Sequence, residues 1–389
     1  MSIQQIQKIT KKSVVLLCII FAGCLLASPW AQAASTYKIG GIFAVTGPAS
    51  FLGDPEKKSM EMAVKAINDA GGIDGHLLET VIYDTESDPT KGVMAVNKLI
   101  NKDRVLAIIG PSRTPTTLAV ISFVERAQIP LISCAAGIQI TQPVKKWVFK
   151  TAQSDVLAVA SLYSHLKAAG IQKVGILTVS NAFGESGKHQ LEAQAGTYGI
   201  EIVKVESFGA KDTDMTPQLT KIRKSNPQAV ICWGTNPGPA VVARNVKQLK
   251  MDMPLFMSHG VASPKFIDLA GEAAEGICLP SGKILVAGLL PANDVQKEIL
   301  MQYIQQFESR YGGKVSGFGG YAFDAVNILA GALKGSSGDR AVIRAAIEKM
   351  ENHVGVSGVF TFSTTEHNGL GPDAFVVVKI KNNTWELLR

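Results

Sequence analysis

One stretch of the sequence combines residue types that can hold an anion. In Ile109-Gly110-Pro111-Ser112-Arg113-Thr114-Pro115-Thr116-Thr117, a run with the character of a buried strand turns into a helix start. The first backbone amides of a helix have no partner inside it, which suits a carboxylate. Hydroxyls of Thr114, Thr116 or Thr117 add hydrogen bonds there, and Arg113 adds charge. The same residues fit a plain helix start, with Thr114 as cap and Arg113 solvated, because Ser and Thr cap helices without any ligand. Enzyme signatures are missing from the sequence: there is no G-x-x-x-x-G-K-[ST] phosphate loop, no G-x-G-x-x-G after a strand and no G-x-S-x-G elbow. Gly184-Glu185-Ser186-Gly187 comes nearest to the elbow, but Lys188 stands where its second glycine is needed. The six histidines are scattered, with no metal spacing and no implied cofactor.

The elements that must position this stretch alternate. Tyr37 to Ala44 reads as a strand, Met60, Val64 and Ile67 mark one helical face, and Leu77 to Tyr83 is a second strand. Asp88-Pro89 opens a helix as cap and first-turn proline. Val105 to Ile109 and Pro130 to Cys134 are further strands, so the first part is a parallel sheet wrapped by helices. The rhythm restarts at Lys173 to Leu177, with a helix over Gly184 to Tyr198 and strands at Ile200 to Val205, Ala229 to Trp233 and Pro254 to Met257. Helices over Asp294 to Tyr311, Tyr321 to Leu333 and Ala341 to Met350 follow. The tail returns to strands, Val359 to Phe362 and Ala374 to Ile380, with Asn382-Asn383 as a hairpin turn. The class is α/β, and a chain of 389 residues exceeds the size at which one core usually splits.

The amino-terminal residues point to export. Lys8, Lys11 and Lys12 precede an apolar run from Val14 to Ala27, and Ala31 and Ala33 fit the A-x-A rule, so residues 1–33 read as a Sec signal peptide cleaved after Ala33. Phe21-Ala22-Gly23-Cys24 offers the alternative of a lipid on Cys24. No later run approaches the length of a membrane helix. With three of 39 basic residues in the leader, the rest keeps a small excess over 32 acidic ones, and no basic cluster with interleaved aromatics argues for nucleic acid. Beyond the leader only Cys134, Cys232 and Cys278 remain, each in an apolar run, and read as small buried hydrophobes.

Several segments together resemble the leucine/isoleucine/valine-binding protein family: Thr46-Gly47-Pro48 with Gly53, the Asn68 to Gly72 turn, Asp84 with Asp88-Pro89, the Gly110 to Thr117 turn, Asn181-Ala182-Phe183-Gly184, and Gly271 to Gly276. The resemblance implies the type I periplasmic-binding-protein fold. Two lobes, each a parallel sheet flanked by helices, are joined by three crossings, near Thr151, Ser281 and Gly358. The lobes would comprise 34–151 with 282–357 and 152–281 with 358–389, the ligand lying in the cleft between them.

By that resemblance Leu52 takes the place of an aromatic wall residue and Thr114 that of a carboxylate-binding hydroxyl, while Ala135, Ala136 and Gly137 supply backbone contacts, Gly137 standing where the family has threonine. Phe183 replaces a tyrosine and Asn236 falls near another. His259 falls near the glutamate that pairs with the ligand's ammonium. The family's two disulfide cysteines fall on Ser87 and Arg113, so that bridge cannot form. Phe183 and Trp233 fit either the cleft wall or the core, and His259 fits a loop as well as a site. A buried ammonium needs an anionic or carbonyl partner, which leaves two ligand classes open: apolar amino acids and small carboxylates without an amine, aromatic acids included. The resemblance implies a monomeric, non-enzymatic binding component of an ABC importer, delivering ligand to a membrane permease and its ATPase. A sensor ectodomain is the nearest alternative and a hydrolase of small acids the more distant one.

Overall fold

The structure, a computed structural model, describes residues 36–388. The expected leader, its cleavage after Ala33 and lipid attachment at Cys24 therefore lie outside the described residues.

The first sheet is built from β1 (Thr36–Phe43), α1 (Ser50–Asp69), β2 (Leu77–Asp84), α2 (Pro89–Lys98), β3 (Ile108–Ile109), α3 (Thr114–Ala127), β4 (Leu131–Ser133) and β5 (Val148–Lys150). Its five strands run in the order β2-β1-β3-β4-β5, all parallel, with Thr36 opposite Leu77 and Phe43 opposite Asp84. Local chemistry sets the helix starts: Asp88 accepts from the amides of Thr90 and Lys91, with Pro89 in the first turn where its missing N–H costs nothing.

The second sheet follows α4 (Asp155–Ala168) and comprises β6 (Lys173–Val179), α5 (Ala182–Tyr198), β7 (Glu201–Phe208), α6 (Thr216–Lys224), β8 (Ala229–Trp233), α7 (Gly238–Gln248), β9 (Leu255–Met257), α8 (Pro264–Ala270) and β10 (Cys278–Ser281). After α9 (Lys297–Tyr311), α10 (Gly317–Leu333), α11 (Arg340–Glu348) and the small ribbon of β11 (His353–Val354) with β12 (Val359–Phe360), it gains β13 (Val376–Lys381) and β14 (Thr384–Leu387). The order is β14-β13-β10-β9-β8-β6-β7. Five strands are parallel, as expected, and β13 and β14 complete the sheet as the antiparallel tail hairpin. Asn382 and Asn383 hold positive φ of 52° and 59°, a two-residue turn that can join only antiparallel strands.

Packing shows how the chain passes between the two sheets. Met62 of α1 packs with Ile284, Leu300 and Tyr303, and α10 shares a core with β1 and α1, so residues after β10 return to the first sheet. Phe360 and Phe362 still belong to that core, whereas Phe375 packs beneath the second sheet. The last change of partner thus comes after Phe362, later than Gly358. Side-chain amides lace the passages together: Gln153 donates to the Ser357 carbonyl at 2.8 Å, and Asn368 to the Ala152 carbonyl at 3.0 Å.

Candidate ligand-binding site

The loops at the carboxyl ends of the two sheets face each other across a cleft that holds a cavity of about 40 Å³. In both sheets the strand order reverses there, between β1 and β3 and between β6 and β8, the position at which open α/β sheets accept ligands. One wall is Leu52 from the first turn of α1, the turn into α3, and the segment after β4; the other is Phe183 at the start of α5 and His259 after β9.

The turn into α3 is not a capped helix start. Arg113 occupies the cap position with extended backbone and no side chain caps the helix. Thr114 is the first helical residue, and its Oγ1 accepts from the Gly137 amide at 3.2 Å, 23 positions away. That overturns the reading in which Thr114 serves as the cap. The amides at the head of α3 therefore face the cleft without a side-chain acceptor, beside the Thr114 hydroxyl and the Arg113 guanidinium. Arg113 is half-buried and donates to the Ser87 carbonyl. The two positions that the resemblance pairs as cysteines are thus joined by a hydrogen bond.

Of the ten residues singled out from the sequence, Leu52, Arg113, Thr114, Ala135, Ala136, Phe183 and His259 line this cleft. Gly137 does not. Its contribution is space, since a Cβ there would lie 2.4 Å from Thr114 Cγ2. Trp233 is fully buried and backs the wall, its ring 5.6 Å from that of His259 and 6.1 Å from that of Phe183. Asn236 faces an adjoining space that shares Arg113, Asn181 and Thr235 with the cleft, and its buried amide has no partner.

Other wall residues escaped the sequence reading. Phe318 and Tyr321 come from α10, far along the chain, and Ser112 fixes the floor by accepting from the Ala44 amide at 3.0 Å. Glu56 lies wholly buried with both carboxyl oxygens unpartnered, and burial raises its pKa well above the ordinary value, against the pull of Ser112. The only signal for Glu56 is its place on the apolar face of α1.

A buried polar cluster sits behind the second wall. Lys150 is fully enclosed and donates to the Ala136 carbonyl at 2.6 Å; burial lowers its pKa to about 8. Asp155, in the first turn of α4, is also enclosed, and burial raises it to about 6 while Ser186 and Lys150 pull the other way. His259 has Nε2 3.8 Å from Asp155 Oδ1, and neither ring nitrogen has a hydrogen-bond partner. Burial, with Lys150 adding, drives its pKa to about 3, so the imidazole is neutral. Among the described residues no carboxylate lines the cleft, and no cluster of three or more side chains is arranged to hold a metal. No helix among them is long and apolar enough to cross a membrane.

Comparison with known proteins agrees with this geometry. The family model described as periplasmic binding protein matches residues 36–384. The leucine-, isoleucine-, valine-, threonine- and alanine-binding protein of Pseudomonas aeruginosa is 28% identical over 277 residues, 69% of this chain and 72% of that one. The Leu/Ile/Val-binding protein of Escherichia coli is 26% identical over 268 residues, 68% of this chain and 72% of its own. Among solved structures, an extracellular ligand-binding receptor from Rhodopseudomonas palustris superposes with a TM-score of 0.85 at 26% identity, over 91% of this chain and all of that one (100%). A branched-chain amino acid transporter substrate-binding protein of Streptococcus pneumoniae, in complex with isoleucine, shares the fold, with a TM-score of 0.79 at 24% identity over 91% of this chain and 99% of its own.

Proposed function

Because this chain belongs to the periplasmic binding protein family, we propose that it is the extracytoplasmic solute-binding component of an ABC importer, taking up a small carboxylic acid with an apolar body. The observation that carries the proposal is the cleft itself. One wall offers uncapped helix amides, a hydroxyl and a guanidinium to a carboxylate, and Leu52, Phe183, Phe318 and Tyr321 give apolar surface to the remainder of the ligand. Relatives named for amino acids support the amino-acid class. The walls favour acids without an amine, since no carboxylate faces the cleft to neutralise an enclosed ammonium.

Binding operates by hinge closure. The chain passes between the sheets near Thr151, near Ser281 and between Phe362 and Phe375, and a ligand touching both walls selects the closed form. The family role supports delivery to a permease and ATPase, and the expected leader supports a location outside the cytoplasm. Calorimetry with matched amino acids and amine-free acids, joined to X-ray scattering, tests the reading. Saturating ligand should reduce the radius of gyration. If no apolar carboxylate binds, or binding leaves the scattering unchanged, the proposal fails.

A further inference from the structure

Asp155 does not line the cleft, yet it is placed to decide what the cleft recognises. We infer that Asp155 is a positioning residue that accepts a hydrogen bond from Nε2–H of His259, leaves Nδ1 as a hydrogen-bond acceptor, and so makes the site select an acid carrying a neutral O–H donor, a hydroxy acid. This rests on the carboxylic-acid reading above and narrows it.

Three observations support it. First, a neutral imidazole has one donor nitrogen and one acceptor nitrogen, and the partner of one fixes the role of the other. Both nitrogens of His259 are enclosed and unpartnered, and a buried polar atom left so is costly. Secondly, Oδ1 of Asp155 lies 3.8 Å from Nε2, about 1 Å beyond a charge-assisted hydrogen bond. Neither oxygen of Asp155 makes a close hydrogen bond, although the Ser186 hydroxyl acts on the group, so a small rotation of the ring brings donor and acceptor together. The ring is held for such a movement by edge-to-face neighbours Phe183, Trp233 and Phe375, at 5.4 to 5.6 Å between centroids. Nδ1 then needs a donor, and His259 is part of the cleft wall.

Thirdly, charge separates a hydroxyl from an ammonium. Lys150 lies near enough to Asp155 to offset its charge, with Glu366 also acting on Lys150, and His259 is neutral, so an ammonium beside His259 meets no unpaired carboxylate. A hydroxyl gives Nδ1 its donor without adding a buried charge. An ammonium gives the same donor and adds a positive charge near Lys150. A keto group has no donor and sets its oxygen against the Nδ1 lone pair.

The test uses the full mature chain and two matched series, one with an isobutyl and one with a phenyl body: the 2-hydroxy acid, the 2-oxo acid, the amino acid and the unsubstituted acid. In the wild type the hydroxy acid should bind tightest, exceeding its oxo counterpart by roughly ten-fold, the worth of one hydrogen bond at a buried site. In Asp155→Asn the amide oxygen turns to Lys150 and the amide nitrogen donates to Nε2. The imidazole proton moves to Nδ1, and the preference reverses in favour of the oxo acid. Nitrogen-15 NMR of ligand-free protein should show His259 with its proton on Nε2 in the wild type and on Nδ1 in the variant. A purely structural role for Asp155 would weaken every ligand equally and leave the tautomer unmoved, and that result overturns the inference. So does tighter binding of leucine or phenylalanine than of their hydroxy counterparts. If no member of either series binds, the carboxylic-acid reading falls, while the wild-type tautomer still decides the role of Asp155. Should the variant not fold, the wild-type tautomer and affinity order decide it alone.

Discussion

Replacing Thr114 by valine keeps its volume and removes only the hydroxyl, the group that stands where the carboxylate of the ligand is expected. Oγ1 already accepts from the Gly137 amide at 3.2 Å, so its proton is free to point at a ligand oxygen. A hydrogen bond to a charged acceptor contributes about 1.5 to 3 kcal/mol, which in Thr114→Val corresponds to a roughly 10- to 150-fold rise in Kd for the tightest acid. The variant also orphans the buried Gly137 amide, at a cost of about 1 to 3 kcal/mol. That second loss weighs on free and bound protein alike, so it appears in thermal melting and cancels in affinity. Helix α3 should be little affected, because Thr114 is not its cap. Isothermal calorimetry with differential scanning calorimetry separates the two losses, and Thr114→Ser should retain most of the affinity. A Kd for Thr114→Val within two-fold of the wild type would mean that the carboxylate binds elsewhere in the cleft.

Glu56 gives a pH signature: its folded-state pKa lies above the ordinary carboxyl value of 4.5, so its favourable contribution is complete below that value and is lost as pH rises through the folded pKa. Glu56→Gln should remove that loss, giving a higher melting temperature than the wild type at pH 8 and no advantage at pH 4. Asp324 accepts the amides of Val356 and Ser357, each at 2.7 Å, and Asp324→Ala should cost about 2 kcal/mol or more in urea unfolding through two orphaned buried donors. Gly137→Thr, which restores the residue type of the resembled family, should weaken binding in calorimetry, because its Cβ would displace the Thr114 methyl.

Elements with strong local chemistry were legible from sequence. Ala229 to Trp233 is a strand at its expected ends because all five residues are buried, and Asp88 caps α2 as its spacing with Pro89 implies. What depended on distant partners was not. Thr114 has a cap's composition, yet its hydroxyl is claimed by an amide from the segment after β4. Helix α10 begins at Gly317, four residues before the expected start at Tyr321, because glycine is a poor helix former by itself, whereas Gly319 and Gly320 are needed where Ser59, Tyr303 and Val356 press close. Phe318 was lost to the site for the same reason. Lys150 and Asp155 are charged residues that sequence places at the surface by default, and only the tertiary structure shows them enclosed together.

The three cysteines carry a practical consequence. Cys134, Cys232 and Cys278 are buried and unbridged, and burial pushes all three thiols up, leaving almost no thiolate at neutral pH. Thiol-directed dyes therefore find little to attack among the described residues. A cysteine introduced at an exposed edge of the space adjoining the cleft, as in Lys211→Cys, would be the preferred point of attachment without removal of a native thiol. A fluorophore there shares the space lined by Asn236 and Asp88, surfaces that the proposed hinge closure would bring together. The fold thus lends itself to an optical reporter, in which the colour or brightness of one dye reads out solute concentration directly.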